Sequence, residues 1–271
     1  AIRGMNTAVL WSPFFVSFAV GQLYLPSQSA WLGIAFGLLV ALIFNLISVR
    51  FLIGRFTLSY LFEAISCVKP IFPRLLILSI SVLAVGQIFD KTALNAIVIV
   101  IPILVIVQML RRPETIKSII SNLNNLILKS GDEMLLISVS MFLGSILSGS
   151  AEIQNFMSNN IGNNFPFWAM IILLPLIVWI FGLIGIHPII TSAPILSLFG
   201  PLLSLWEAAF LMQAHLIGWC AGTATSFTSL SVLTTAENFR LHISKLVLGP
   251  NLFATGCLTF IGAILLITLN Y

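Results

Sequence analysis

Two short polar stretches interrupt an otherwise apolar chain: Gly185-Ile186-His187-Pro188, with Thr191 and Ser192 just beyond, and Gly222-Thr223-Ala224-Thr225-Ser226. A third, Gly4-Met5-Asn6-Thr7, lies near the start beside Arg3. Glycine and proline interrupt helices, and a helix broken in lipid leaves N–H and C=O groups unpaired. Such breaks are tolerated only against protein or a wet cavity, which makes them candidate binding sites. Half-helix N-termini suit anions, while carbonyl ends and hydroxyls suit cations. The candidate binding residues are therefore Asn6, Thr7, Gly185, His187, Thr191, Ser192, Gly222, Thr223, Thr225 and Ser226, with Arg3 as a contact for an anion. His187 can donate to an anion or carry a coupling proton near neutral pH. Its alternative is a buried, neutral, hydrogen-bonded histidine, and His215 reads as a helix–helix hydrogen bonder.

These residues must be positioned by membrane helices. Charged residues make up 7% of the 271 residues, hydrophobic ones 59%, and the mean hydropathy is +1.12. A soluble domain carries about 25% charged residues, so this chain has too little polar surface to cover a globule. The net charge of +4 does not imply nucleic-acid binding, because the basic residues sit singly between apolar runs. Cys67, Cys220 and Cys257 are far apart and suggest neither a disulfide framework nor a metal site. HExxH, GxSxG, CxxC and P-loop spacings are absent, which argues against an enzyme. No cofactor is expected beyond a coupling ion, sodium or a proton. The opening Ala1-Ile2-Arg3-Gly4 reads as a start partway through a longer protein.

Apolar runs read as conventional spans occur at Trp31–Val49, Leu75–Phe89, Thr92–Leu110, Met134–Leu147 with an extension, and Pro250–Leu269. Trp168–Leu203 and Trp206–Leu233 are apolar but broken. Basic residues collect at 50–74, 111–129 and 240–245, which places those stretches on the cytoplasmic side. Both ends of Trp168–Leu203 then lie outside, so this segment is expected to be a re-entrant hairpin. Trp31, Trp168 and Trp206 begin segments at the outer interface, where indole rings prefer to sit. Pro113–Lys129 reads as an amphipathic helix on the inner surface, and Phe239–Leu248 repeats the idea more briefly.

Gly4-Met5-Asn6-Thr7 and Gly222-Thr223-Ala224-Thr225 share a Gly-x-x-Thr pattern, and each is followed by a half-helix and a Gly-punctuated span of opposite orientation. That is the mark of an inverted repeat. The order of segments resembles the carboxy-terminal half of the ion transporter superfamily, which includes divalent-anion/sodium symporters and arsenite permeases. The resemblance covers Leu75–Tyr271 as a full repeat and residues 1–54 as the tail of the preceding one. Where sodium-coupled members carry Ser-Asn-Thr at the hairpin tip, this chain has Gly185-Ile186-His187-Pro188.

The resemblance implies an all-α polytopic membrane protein with an inverted-repeat architecture, a homodimer and an elevator-like mechanism. On that analogy residues 1–54 belong to the transport part, 55–74 are a cytoplasmic linker, 75–157 are scaffold helices, and 158–271 complete the transport part. The expected function is secondary transport of a small anionic solute, a carboxylate or oxyanion, across a bacterial inner membrane, coupled to sodium or protons. The alternatives are an intramembrane enzyme using His187 and His215, or a noncatalytic scaffold subunit.

Overall fold

The computed structural model describes residues 2–26, 32–53, 66, 69–70, 72–89, 93–111, 131, 135, 138–159 and 165–270. Among these the chain is all α. It forms two compact units, Ala1–Ser48 with Leu135–Tyr271, and Val49–Met134. The amphipathic stretch Pro113–Lys129 and most of the linker 55–74 lie outside the described residues.

The larger unit is organised around α10 (Leu205–Thr225). This helix starts at a capping box: Ser204 Oγ accepts from the Glu207 amide at 3.4 Å, and a Glu207 carboxylate oxygen accepts from the Ser204 amide at 2.9 Å. Two of the free N-terminal donors are thereby satisfied reciprocally. The helix then buries nearly all of its residues from Ala208 to Thr225, including Leu211, Met212, Leu216 and Ile217.

What lets neighbours come close is glycine. Helix α8 (Phe167–Leu183) runs parallel to α10, so that Gly218 faces Pro175 and Gly222 faces Val178 and Gly182. A Cβ on Gly182 would stand 2.7 Å from the Gly222 Cα, and one on Gly218 would stand 2.7 Å from the Pro175 Cα. Gly218-Trp219-Cys220-Ala221-Gly222 is thus a small-xxx-small contact, which lets two backbones touch. The sequence reading treated Gly222 as the start of a break; the structure places it inside a continuous helix.

After α8 the chain turns at Ile184–His187 and returns as α9 (Pro188–Phe199). Gly185 has φ +89°, a conformation glycine adopts without penalty. Pro188 occupies the first turn of α9, where its missing N–H costs nothing. Helix α13 (Pro250–Asn270) runs antiparallel to α10, with Gly262 against Ile217 and Gly256 against Trp179 of α8. The start of the chain forms α1 (Ile2–Thr7), a 3-10 turn at Ala8–Leu10, and α2 (Val16–Tyr24), lying antiparallel to α10. Helix α3 (Ile34–Ile53) crosses here, its Gly33 and Gly37 making room for Gln213 and the Leu10 carbonyl.

Helices α6 (Ser138–Gly149) and α7 (Ala151–Met157) also belong to this unit: the Tyr24 hydroxyl donates to the Met141 carbonyl at 3.3 Å, and the Gln154 amide donates to the Ser197 carbonyl at 3.2 Å. The compact unit therefore includes part of the expected scaffold of residues 75–157: α6 packs against α2 through Tyr24, and α7 against α9 through Ser197. The smaller unit contains α4 (Phe72–Ile88) and α5 (Ala93–Arg111), packed on each other.

The remaining helices are α11 (Leu230–Phe239) and α12 (Ile243–Val247). Phe239–Leu248 is consequently not the continuous amphipathic helix expected: Arg240, with φ 51°, ends α11, and Val247 turns inward against Ile2 and Val232. Two helical runs, Leu205–Phe239 and Ile243–Leu269, are long and apolar enough to cross a bilayer, with mean hydropathies of 1.3 and 2.3. Large apolar side chains also face outward on α3, such as Leu38, Leu42 and Ile47, and on α13, such as Phe253, Ile261 and Ile264.

If the α8–α10 contact organises the unit, Gly218→Leu should destabilise it by about 1–3 kcal/mol through overpacking. Gly149→Leu, where a Cβ meets nothing within 4 Å, should be near neutral. Thermal melts of both variants in the same detergent check this, and equal losses would remove the contact's special role.

Candidate functional site

Three non-helical segments meet around the far end of α10: the α8–α9 tip, the α10–α11 connection at Ser226–Ser229, and α1 packed beside it. The break sits four residues later than the sequence reading put it. Thr225 explains part of the difference, because its hydroxyl donates to the Ala221 carbonyl at 2.8 Å and so extends the helix. Ser226, almost fully buried, then accepts from the Thr228 amide at 3.3 Å and lies 3.1 Å from the Thr228 hydroxyl.

One hydrogen bond joins the two principal breaks: the Thr228 hydroxyl donates to the Gly185 carbonyl at 3.0 Å. At the tip itself, His187 Nδ1 accepts from the Ile189 amide at 3.3 Å and caps α9. The ring also meets Trp219 edge-on, with centroids 5.5 Å apart, and Trp219 meets His215 likewise at 5.4 Å. Thr191 donates to the Pro188 carbonyl at 3.0 Å, one turn back, while Ser192 is fully buried with an unpartnered hydroxyl.

A second group of bonds ties α1 to the break. The Thr223 hydroxyl donates to Asn6 Oδ1 at 2.9 Å, and Asn6 Nδ2 donates to the Ile2 carbonyl at 2.9 Å and to the Ser231 hydroxyl at 3.3 Å. Ser229 and Ser231 both donate to the Thr223 carbonyl, at 2.5 and 3.2 Å. Thr7 accepts from Asn45 of α3 at 2.7 Å and donates to the Gly4 carbonyl at 3.1 Å. Arg3 donates to Asn251 Oδ1 at 3.3 Å and to the Pro250 carbonyl at 3.0 Å, and Asn251 Nδ2 donates to the Ala224 carbonyl at 2.6 Å. The Thr223 and Ala224 carbonyls at the end of α10 thus accept from three side chains, those of Ser229, Ser231 and Asn251.

The structure brings Arg3, Asn6, Gly185, Thr223 and Ser226 to one end of α10. It leaves Gly222 as a packing residue against Gly182 and gives Gly4–Thr7 a helical rather than a broken backbone. The interruption in this part of the chain falls at Trp11–Phe15, where Ser12 and Pro13 stand. Sequence reasoning passed over Ser229, Ser231 and Asn251. The run from Thr223 to Ser231, with hydroxyls at Thr223, Thr225, Ser226, Thr228, Ser229 and Ser231, was the available signal. No group of three or more His, Cys, Asp or Glu side chains able to hold a metal occurs among the described residues.

Compared with known proteins, the chain matches no family model, no curated protein and no solved structure.

The Thr228–Gly185 bond is an exposed link in this assembly, and Thr228→Val removes its donor while keeping the shape. Loss of one hydrogen bond costs about 1 kcal/mol, so the fold should persist while tip amides exchange faster by several-fold. Hydrogen exchange of residues 184–190 in the variant measures it; unchanged exchange would mean that the bond does not hold the tip.

Proposed function

We propose that this chain is part of a secondary transporter that binds a small anionic solute, a carboxylate or oxyanion, at the end of α10 and moves it across a membrane. The observation that carries this reading is the convergence of two helix interruptions, Ile184–His187 and Ser226–Ser229, joined through Thr228 and Gly185. Continuous helices suffice for a scaffold. Interruptions cost backbone hydrogen bonds, and in an apolar chain they persist where a polar ligand or water uses the exposed groups.

Membrane placement is supported by the two long apolar runs and the outward-facing apolar side chains of α3 and α13. Trp168 and Trp206, both exposed, begin the parallel helices α8 and α10 and so mark one end of the unit, as an interfacial belt would. Helix α8, at 17 residues, is about 26 Å long and approaches the thickness of the hydrocarbon core, which puts the tip deep. The antiparallel course of α1 and α10 fits an inverted repeat, and a homodimer with elevator-like displacement is the arrangement such a repeat serves.

Sodium is the coupling ion we favour. The hydroxyls of Thr191 and Thr225, which donate within their own helices, and those of Thr223 and Ser226 retain lone pairs for a cation, whereas His187 accepts at Nδ1 as a helix cap. Uptake of labelled carboxylates and oxyanions into vesicles containing the purified protein, with sodium and pH gradients varied separately, tests the proposal. Sodium-driven uptake should survive His187→Gln and lose several-fold in sodium affinity with Thr225→Val. Uptake that ignores sodium, follows pH and vanishes with His187→Gln would make the proton the coupling ion, and no uptake of any acid would overturn the transport reading.

Orientation is tested separately. In a variant without native cysteines, Ser244→Cys should be shielded from an impermeant thiol reagent applied to sealed cells, and Pro201→Cys should react. The reverse pattern would invert the topology.

A further inference from the structure

Helix α2 begins in the middle of the larger unit. Its Ser17 carbonyl accepts from His215 Nε2 at 2.9 Å, and His215 is the midpoint of α10. At its other end Tyr24 lies beside Gly200, which follows α9, so α2 and α9 run the same way and both point their N-termini inward. They differ in how those ends are satisfied: α9 is capped by His187, whereas the Phe15 at the start of α2 supplies no side-chain cap. The amides of Val16 and Ser17 have no hydrogen-bond partner among the described residues.

The second observation is the Ser17 side chain. It is 1% exposed, its hydroxyl has no partner, and it occupies the second position of this nine-residue helix. A helical Cβ tilts toward the N-terminus, so the hydroxyl is aimed at the same place as the free amides. An unpaired buried hydroxyl costs about 1–3 kcal/mol, and free amides at a helix start add the positive end of the helix dipole. Among the described residues no carboxylate bonds these groups. Residues 1–62 contain no Asp or Glu, α9 has none, and Glu207 of α10 is held in the cap at Ser204. Trp11 and Val16, 36% and 41% exposed, flank the position and keep it reachable.

We infer that the N-terminus of α2 receives the acidic group of a solute, with carboxylate or other oxyanion oxygens accepting from the Val16 and Ser17 amides and from the Ser17 hydroxyl. The inference rests on the transport reading for its purpose and adds a second contact at mid-height of α10, away from the Thr228–Gly185 junction. The amides fix the sign of the charge, and the hydroxyl fixes the distance at which an oxygen is held.

The test uses the purified protein in lipid nanodiscs, with acetate, succinate and inorganic phosphate as probes and equimolar chloride as the control. At least one probe should raise the melting temperature beyond chloride, and Ser17→Ala should weaken that response about tenfold in apparent affinity. Ser17→Asp, which places a carboxylate at the helix start, should abolish the response. Stabilisation by none of the three beyond chloride, or an unchanged response in Ser17→Ala, overturns the inference. Vesicle uptake that is lost with Thr228→Val but indifferent to Ser17→Ala would refute this contact and leave the transport reading standing; probe binding that needs Ser17 in a protein showing no flux would do the reverse.

Discussion

The close contact of α8 with α10 is the constraint from which the rest of the larger unit follows. Gly182, Gly218 and Gly222 bring two backbones within van der Waals reach, and no larger residue fits at those points. Because the helices run parallel, the chain must turn just past Gly182 to continue, and the turn is forced into the space beside Gly222. Pro188, which begins the return helix, lies against that glycine, where a Cβ would stand 3.4 Å from its ring. The tip and the end of α10 are therefore neighbours for a steric reason before any hydrogen bond forms between them.

Hydrogen bonds then complete what the glycines begin. The last carbonyls of α10 have no continuing helix to accept from, and in apolar surroundings each needs a donor. Serines of the next turn supply two to Thr223, and Asn251 supplies one to Ala224. Satisfying a helix end with side chains rather than with more helix leaves oxygen lone pairs and short polar groups facing one another. Such a junction is firm in position yet chemically open.

Much of the architecture was legible because its causes are local. Gly185 and Pro188 mark the tip, since one supplies a positive φ and the other a helix start. Pro250 marks the beginning of α13 in the same way. Gly222 misled for a physical reason: a glycine that opens a helix and one that lets another helix approach look alike, and only the Pro175–Gly218 and Gly182–Gly222 contacts distinguish them. Gly4 to Thr7 misled similarly, because Asn6 and Thr7 bond back to Ile2 and Gly4 and reinforce a helix. Asn251 and Ser231 escaped notice, as their partners lie far away in sequence. Ser17 carried no pattern at all; its significance lies in the lack of a partner, which only coordinates reveal.

Helix α1 has six residues and is held chiefly through side chains, with Asn6 joined to Thr223 and Ser231, and Arg3 joined to Asn251. Those partners stand 217, 225 and 248 residues further along the chain. Synthesis runs from the N- to the C-terminus, so α1 emerges before these three partners exist. It must wait, without these bonds, until Thr223, Ser231 and Asn251 have been synthesised, and only the arrival of α10, α11 and α13 completes the junction. A helix made early is in this sense finished late, and biogenesis of the larger unit is gated by the segment that carries α10, α11 and α13.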